Sequence, residues 1–416
     1  MKKIRLITLL LPVIFYLSLP AGLARTAIVS TEDRTNIKPI LPGAYQLEEY
    51  LPLLKNKRIG VFANQTSIIG NTHLIDTLVS LGVNVQKIFS PEHGFRGTAD
   101  AGQKVNGNGD HSKIPIVSLY GKKLKPSAED LQDIDILIFD IQDVGVRFYT
   151  YISSLEYFLE SAVENGKPLI VLDRPNPNGF YVDGPVLQPQ FKSFVGMQPI
   201  PVVYGLTIGE YAGLLLGENK IDQKEKGKDF SLHIIRCKNY THADKYILPV
   251  APSPNLKEMG SIYLYPSTCL FEGTVLSEGR GTDHPFEIFG HPDLPATLFK
   301  FIPRSMVGAM DPKWKDKICY GWNLFETNEN HPQSQIQLKW ILEAYKLFPD
   351  KPGFFLKPQK TNTASNDFFF NKLAGNNLLM QQIKAGKSES EIRKSWENEL
   401  NDFKLVRKKY LLYEDF

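Results

Sequence analysis

Five short hydrophobic segments of this 416-residue chain run into polar loops that together carry Asn, Glu, His, Asp and Arg, and its chemistry is expected at those junctions. Arg58–Ala63 is followed by Asn64-Gln65-Thr66-Ser67, and Val85–Ser90 by Pro91-Glu92-His93-Gly94-Phe95-Arg96-Gly97. Ile114–Leu119 leads into Tyr120-Gly121-Lys122, Ile134–Phe139 into Asp140-Ile141-Gln142-Asp143, and Pro168–Leu172 into Asp173-Arg174-Pro175-Asn176. Loops selected for solubility alone carry polar residues in no special place. Five successive segment ends with these residue types argue for one composite polar site. Glu92, held between a proline and His93-Gly94, is the leading candidate for a catalytic carboxylate. His93 would orient or share in the chemistry, and Arg96 would grip an anion or neutralise Glu92. Asp140 and Asp143 would position a hydroxyl, share a metal, or pair with Arg147, which precedes Phe148-Tyr149. Further along, Phe271-Glu272-Gly273-Thr274 and Ser277-Glu278-Gly279-Arg280-Gly281-Thr282-Asp283 interleave glycine with charge, as a rigid polar loop would.

Several chemistries are disfavoured at once. No Gly-x-Gly-x-x-Gly turn follows the first segment, and no phosphate-binding Gly-Lys-Ser loop or Gly-x-Ser-x-Gly elbow occurs. No cofactor is therefore expected. His93, His111, Asp140, Asp143 and Asp173 lack the His-x-His or His-Glu-x-x-His spacing of zinc sites, so a metal-dependent amidase or esterase is a minor alternative. A non-catalytic glycan-binding protein is a second alternative. A net charge of +3 gives no bulk attraction to nucleic acid.

The elements that must carry these loops follow from hydrophobic pattern. The five segments are rich in Val, Ile, Leu and Phe, as strands covered on both faces are. Between them, residues 72–81 and 150–164 repeat apolar residues at helical spacing, the second ending at Asn165-Gly166. Ser127–Gln132 opens a short helix, and Thr207-Ile208-Gly209-Glu210 has the form of a capping box. Strands alternating with helices predict an α/β fold, a Rossmann-like parallel sheet with helices on both faces. The polar stretch Glu218–Lys228 marks a boundary. The expected organisation is a Rossmann-like catalytic domain over 40–217 and a smaller C-terminal α+β domain over 228–416. In the latter, residues 230–270 read as extended pieces, while 336–348 and 388–413 read as helices.

Met1-Lys2-Lys3-Ile4-Arg5, an apolar run to Leu19 and small residues to Ala24 describe a secretory signal peptide over 1–24. The run is shorter than the ~20 residues a membrane-spanning helix needs. An exported, periplasmic protein with no membrane span after signal removal is expected. Cys237, Cys269 and Cys319 form no disulfide framework or metal spacing.

Taken in order, Asn64-Gln65-Thr66, Ser90–Gly97, Ser118–Gly121, Phe139–Gly145, Arg147–Tyr151, Leu172–Pro177, Pro252–Asn255, Phe271–Gly273 and Ser277–Asp283 resemble the bacterial exo-β-N-acetylmuramidases. The resemblance covers nearly all of the chain after the signal. It implies a Rossmann-like domain packed on a smaller domain, with the active site between them. It further implies release of N-acetylmuramic acid from the non-reducing end of peptidoglycan fragments, so the expected partner is a muropeptide or peptidoglycan-derived disaccharide. The glutamate of the Pro-Glu-His-Gly motif, here Glu92, is implied as the catalytic carboxylate. Glycoside hydrolysis also calls for a second group. Glu278 and Asp143 are the foremost candidates, with Asp140 and Asp283 behind them. An anionic lactyl group calls for a guanidinium, which Arg96, Arg147, Arg174 or Arg280 would supply. Asn64, His93, Asp140, Tyr149, Asn176 and Asp283 complete the expected substrate contacts. Tyr120, Tyr149 and Tyr151 would stack on the sugar or pack in the core.

Overall fold

The computed structural model describes residues 38–91, 94–95, 114–223, 229–327, 331–358 and 368–416, and Ile40–Phe416 forms one compact unit. Glu92, His93, Arg96 and His111 lie outside the described residues. The strands in chain order are β1 (Arg58–Ala63), β2 (Ile68–Ile69), β3 (Thr72–His73), β4 (Asn84–Ser90), β5 (Ile116–Ser118), β6 (Ile136–Asp140), β7 (Leu169–Leu172) and β8 (Leu232–Ile235). Three more follow, β9 (Ile288–His291), β10 (Phe299–Phe301) and β11 (Cys319–Asn323). The main sheet is parallel and six-stranded, in the order β5-β4-β1-β6-β7-β8. Five of its strands, β1 and β4–β7, are those read from the sequence, within two residues at each end. The sixth, β8, comes from beyond the Glu218–Lys228 stretch.

Alternation along each strand feeds two cores. Ile59, Val61 and Ala63 of β1 join Ile136 and Ile138 of β6 on one face, against α1 (Leu47–Leu54) and α2 (Leu74–Ser80). Phe62, Leu137 and Phe139 point the other way, where Phe62 stacks on Phe139 at 4.9 Å and Phe158 meets both. Phe158 belongs to α4 (Tyr151–Glu164), which follows the short α3 (Ala128–Leu131) and precedes α5 (Ile208–Gly217). Capping boxes at Ser127 and Thr207 start α3 and α5, satisfying backbone donors that a first helical turn leaves open. The predicted helix over 72–81 begins two residues later, because Thr72–His73 pairs with Ile68–Ile69 as a hairpin and the His73 ring then caps α2.

The second core continues without a break into the C-terminal half, through Phe271, Phe286, Phe354 and Phe403. There β9, β10 and β11 make an antiparallel sheet in the order β10-β11-β9. Residues 230–270, expected to be extended, contain α6 (Met259–Thr268). Its residues Ser261–Thr268 are buried all round, so it has no amphipathic stripe to reveal its period. The remaining helices are α7 (Lys339–Leu347), α8 (Phe369–Ala374), α9 (Leu378–Lys384), α10 (Glu389–Lys394) and α11 (Glu397–Lys408). The single helix expected over 388–413 is broken at Ser395-Trp396. Among the described residues no helix is long and apolar enough to cross a membrane.

Candidate functional site

In a sheet of this order the crossovers reverse between β1 and β6, and ligands bind beyond the carboxyl ends of the strands near such a point. The polar residues after β1 and β6 stitch this crevice together. Asn64 Oδ1 accepts from Thr66 N at 2.9 Å and Thr66 Oγ1 at 2.6 Å, while its Nδ2 donates to Tyr151 Oη at 3.0 Å. Gln142 N donates to Thr66 Oγ1, and Ser67 Oγ donates to the Asp140 carbonyl. The crevice is roofed from the C-terminal half. The Pro252 carbonyl accepts from Tyr149 Oη at 2.9 Å, Tyr151 Oη at 3.2 Å and Gln65 Nε2 at 3.0 Å.

A cavity of about 230 Å³ opens beside that carbonyl, walled by Tyr120, Tyr149, Tyr151 and Ser253. Tyr265 packs edge-on to Phe148 at 5.4 Å and to Phe286 at 4.8 Å, and all three line it. Among the described residues lining it, the charged ones are Glu272 and Arg280. Arg280 stands between Gly279 and Gly281, both at positive φ, where a side chain would collide with the Ile288 carbonyl or with Pro312. Its Nη2 is 2.8 Å from Glu272 Oε1 and its Nη1 3.5 Å from Glu278 Oε1, with Phe286 beneath the guanidinium. Glu278 itself is buried and does not line the cavity. Burial pushes its carboxyl up, but Lys313 and Arg280 outweigh that and hold it below the usual range. Lys313 Nζ lies 3.0 Å from Glu278 Oε2 and donates to the carbonyls of Phe271, Glu272, Thr274 and Leu276 at 3.0–3.2 Å. The segment 271–278 is therefore wrapped around one ammonium. A larger cavity of about 380 Å³ between α5 and α11 contains none of the strand-end motif residues, so the site is assigned to the smaller one.

Several residues expected to bind substrate are spent on the fold. Arg147 is fully buried and donates to the carbonyls of Pro185, Ile200 and Leu373, joining three distant segments. With no carboxylate beside it among the described residues, burial lowers its pKa to about 9. Arg174 grips Asp140 through two bonds of 2.6 and 2.9 Å, with both side chains buried. Asn176 Nδ2 donates to the Leu206 carbonyl, and its Oδ1 accepts from Asn178 N. Asp143 is sealed beneath Tyr204: its Oδ2 accepts from Tyr204 Oη and from Gly145 N at 2.6 Å, while Oδ1 is buried with no hydrogen-bond partner among the described residues. Burial raises its pKa to about 6. Asp283 is exposed just after the Gly279–Thr282 turn. Of the described candidates, Tyr120, Tyr149, Tyr151 and Arg280 line the cavity, joined by Glu272, whose Phe-Glu-Gly motif was its sequence signal. Pro91 and Gly94, which flank Glu92 and His93 in the chain, are joined by a 3.1 Å hydrogen bond beyond the end of β4.

Family models match the chain in two consecutive parts. One, described as exo-beta-N-acetylmuramidase NamZ, N-terminal, covers residues 59–260, and its C-terminal counterpart covers 263–413. The peptidoglycan beta-N-acetylmuramidase NamZ of Bacillus subtilis is 38% identical over 414 residues, spanning 94% of this chain and 95% of that protein. Two crystal structures of DUF1343 family proteins from Bacteroides fragilis share the fold. The first is 43% identical with a TM-score of 0.81, and the second 29% identical with a TM-score of 0.76. Each comparison covers 91% of this chain and all of the other.

Proposed function

The chain belongs to the exo-β-N-acetylmuramidase family, and from that premise we propose that it is an exo-acting glycosidase releasing N-acetylmuramic acid from the non-reducing end of peptidoglycan fragments. The observation that carries the reading is the 38% identity to a peptidoglycan β-N-acetylmuramidase along 94% of the chain. The cavity supports it independently. It combines aromatic walls, suited to the apolar face of a sugar, with one ion pair at the carboxyl end of a parallel sheet.

In this reading Glu92 is the general acid that protonates the departing oxygen, as glycoside hydrolysis requires. His93 orients it. With Arg147 and Arg174 engaged inside the fold, Arg96 and Arg280 are the guanidinium candidates for the anionic lactyl group. Tyr149 would form part of the sugar-binding wall. The proposed organisation is a signal peptide over 1–24, a catalytic domain over 40–217 whose sheet is completed by β8, and a C-terminal domain over 228–416 that completes the site. The proposed location is the periplasm, where such fragments arise during wall turnover.

The test is release of a chromophore from an aryl β-N-acetylmuramide, run beside the glucosaminide analogue. The wild type is expected to cleave the muramide, and Glu92→Gln to lose about 10²–10⁴-fold in kcat. A folded wild type that cleaves neither glycoside would refute the assignment.

A further inference from the structure

Resting on that reading, we propose that Glu272 is a second catalytic carboxylate of this site, the anion that faces the cationic sugar ring while another group supplies the proton. Hydrolysis of a glycoside passes through an oxocarbenium-like state, and a carboxylate near the ring stabilises the charge that develops there. The sequence offers Glu278 and Asp143 for this task, and the geometry favours neither. Glu278 is 4% exposed at its side chain and does not line the cavity, so its charge does not face a sugar bound there. Asp143 is closed off under Tyr204 and does not line the cavity. Glu272 does line it, with 17% of its side chain exposed.

Three features fit Glu272 for an anionic role. A guanidinium at 2.8 Å favours the ionised form of a carboxyl group, so this side chain is matched to the anion and another group to the acid. Its Oε1 is buried against Arg280, leaving its exposure to the rest of the side chain. Its backbone is fixed on both sides: Lys313 holds the Phe271, Glu272 and Thr274 carbonyls, and Gly273 packs so tightly on Phe370 that a side chain there would meet its Cα at 2.5 Å. A backbone held this firmly, with a guanidinium beside the carboxylate, limits reorganisation during the reaction, which favours electrostatic catalysis. Lys313 is then a positioning residue, acting through Glu272, while Arg280 holds Glu272 and itself faces the cavity.

The role predicts a signature distinct from that of the acid. A dinitrophenyl muramide has a leaving group that departs without a proton, whereas a methylumbelliferyl muramide benefits from one. Glu272→Gln is expected to lose about 10²–10³-fold in kcat on both, with KM little changed. Glu92→Gln should lose far more on the methylumbelliferyl substrate than on the dinitrophenyl one. Glu272→Asp guards against misfolding: it keeps the charge, withdraws it by one methylene, and should lose at least tenfold in kcat at an unchanged melting temperature. A folded Glu272→Gln or Glu272→Asp within threefold of wild type on both substrates, or altered in KM alone, would overturn the proposal. A wild type inactive on both muramides would instead sink the reaction assignment on which it rests.

Discussion

Replacing Lys313 by methionine probes the scaffold of the site directly. Its ammonium has three N–H donors, which serve four carbonyls and the Glu278 carboxylate. Charge-assisted hydrogen bonds are worth roughly 1.5–3 kcal/mol each, so about 5–9 kcal/mol is at stake before desolvation is counted. Methionine fills much of the space and needs no desolvation, but it leaves Glu278 with the more distant Arg280 as its counter-charge. Removing one partner of a buried pair costs about 3–5 kcal/mol. Lys313 is 26% exposed at its side chain, which places the expected loss near the lower figure, about 3 kcal/mol. For a folded unit of this length the unfolding entropy is roughly 0.8 kcal/mol/K, which translates to about 4 °C in melting temperature. Calorimetry would measure the shift. The double variant Lys313→Met/Glu278→Gln should recover part of it, since the stranded charge is gone. A shift below about 1 °C, or a double variant less stable than the sum of the singles, would refute the ammonium as the organiser of the 271–278 segment.

Two further outcomes follow from buried charges. Arg174→Met strands Asp140 and should destabilise by about 3–5 kcal/mol, while the folded fraction keeps the wild-type KM, because Arg174 serves the sheet rather than the substrate. For Asp143, a folded-state pKa of about 6 stands above the unfolded value of 3.8, so the native state holds the extra proton. Its contribution to stability is therefore full below pH 4 and falls as pH rises towards 6, by about 3 kcal/mol for a two-unit shift. Asp143→Asn should remove that slope. The stability of the variant relative to wild type should then rise between pH 4 and 6.5 in calorimetric scans, and a parallel pair of pH profiles would contradict the burial argument.

Much of the fold was legible because strands buried on both faces need continuous apolar runs, and Arg58–Ala63 or Ile136–Asp140 offers little else. Helix starts at Ser127 and Thr207 were readable from capping chemistry that is local in sequence. α6 was not, since a helix enclosed on all sides has no polar face, and Tyr263 and Tyr265 alternate as strand residues do. The site was half legible. The sequence placed polar residues at strand ends, but whether an arginine there meets ligand or backbone depends on contacts remote in the chain. Arg147 reaches Leu373, 226 residues away, and nothing near either residue announces it. Glu272 and Glu278 share one glycine-rich region, and only the fold decides which faces the cavity.

The unbroken hydrophobic core that runs from Phe139 through Phe271 to Phe403 has a consequence for how substrate arrives. Two bodies free to hinge would meet through a modest, partly polar interface. Here the seam is continuous apolar packing, crossed by the Arg147 brace to Leu373 and by three donors on the Pro252 carbonyl. A clamshell closure would have to tear that packing, so the described walls of the cleft are preformed for an entering sugar. Affinity is then not spent on closing the protein. Association should be limited by encounter rather than by domain closure, with an observed rate that rises linearly with substrate concentration and shows no plateau before turnover.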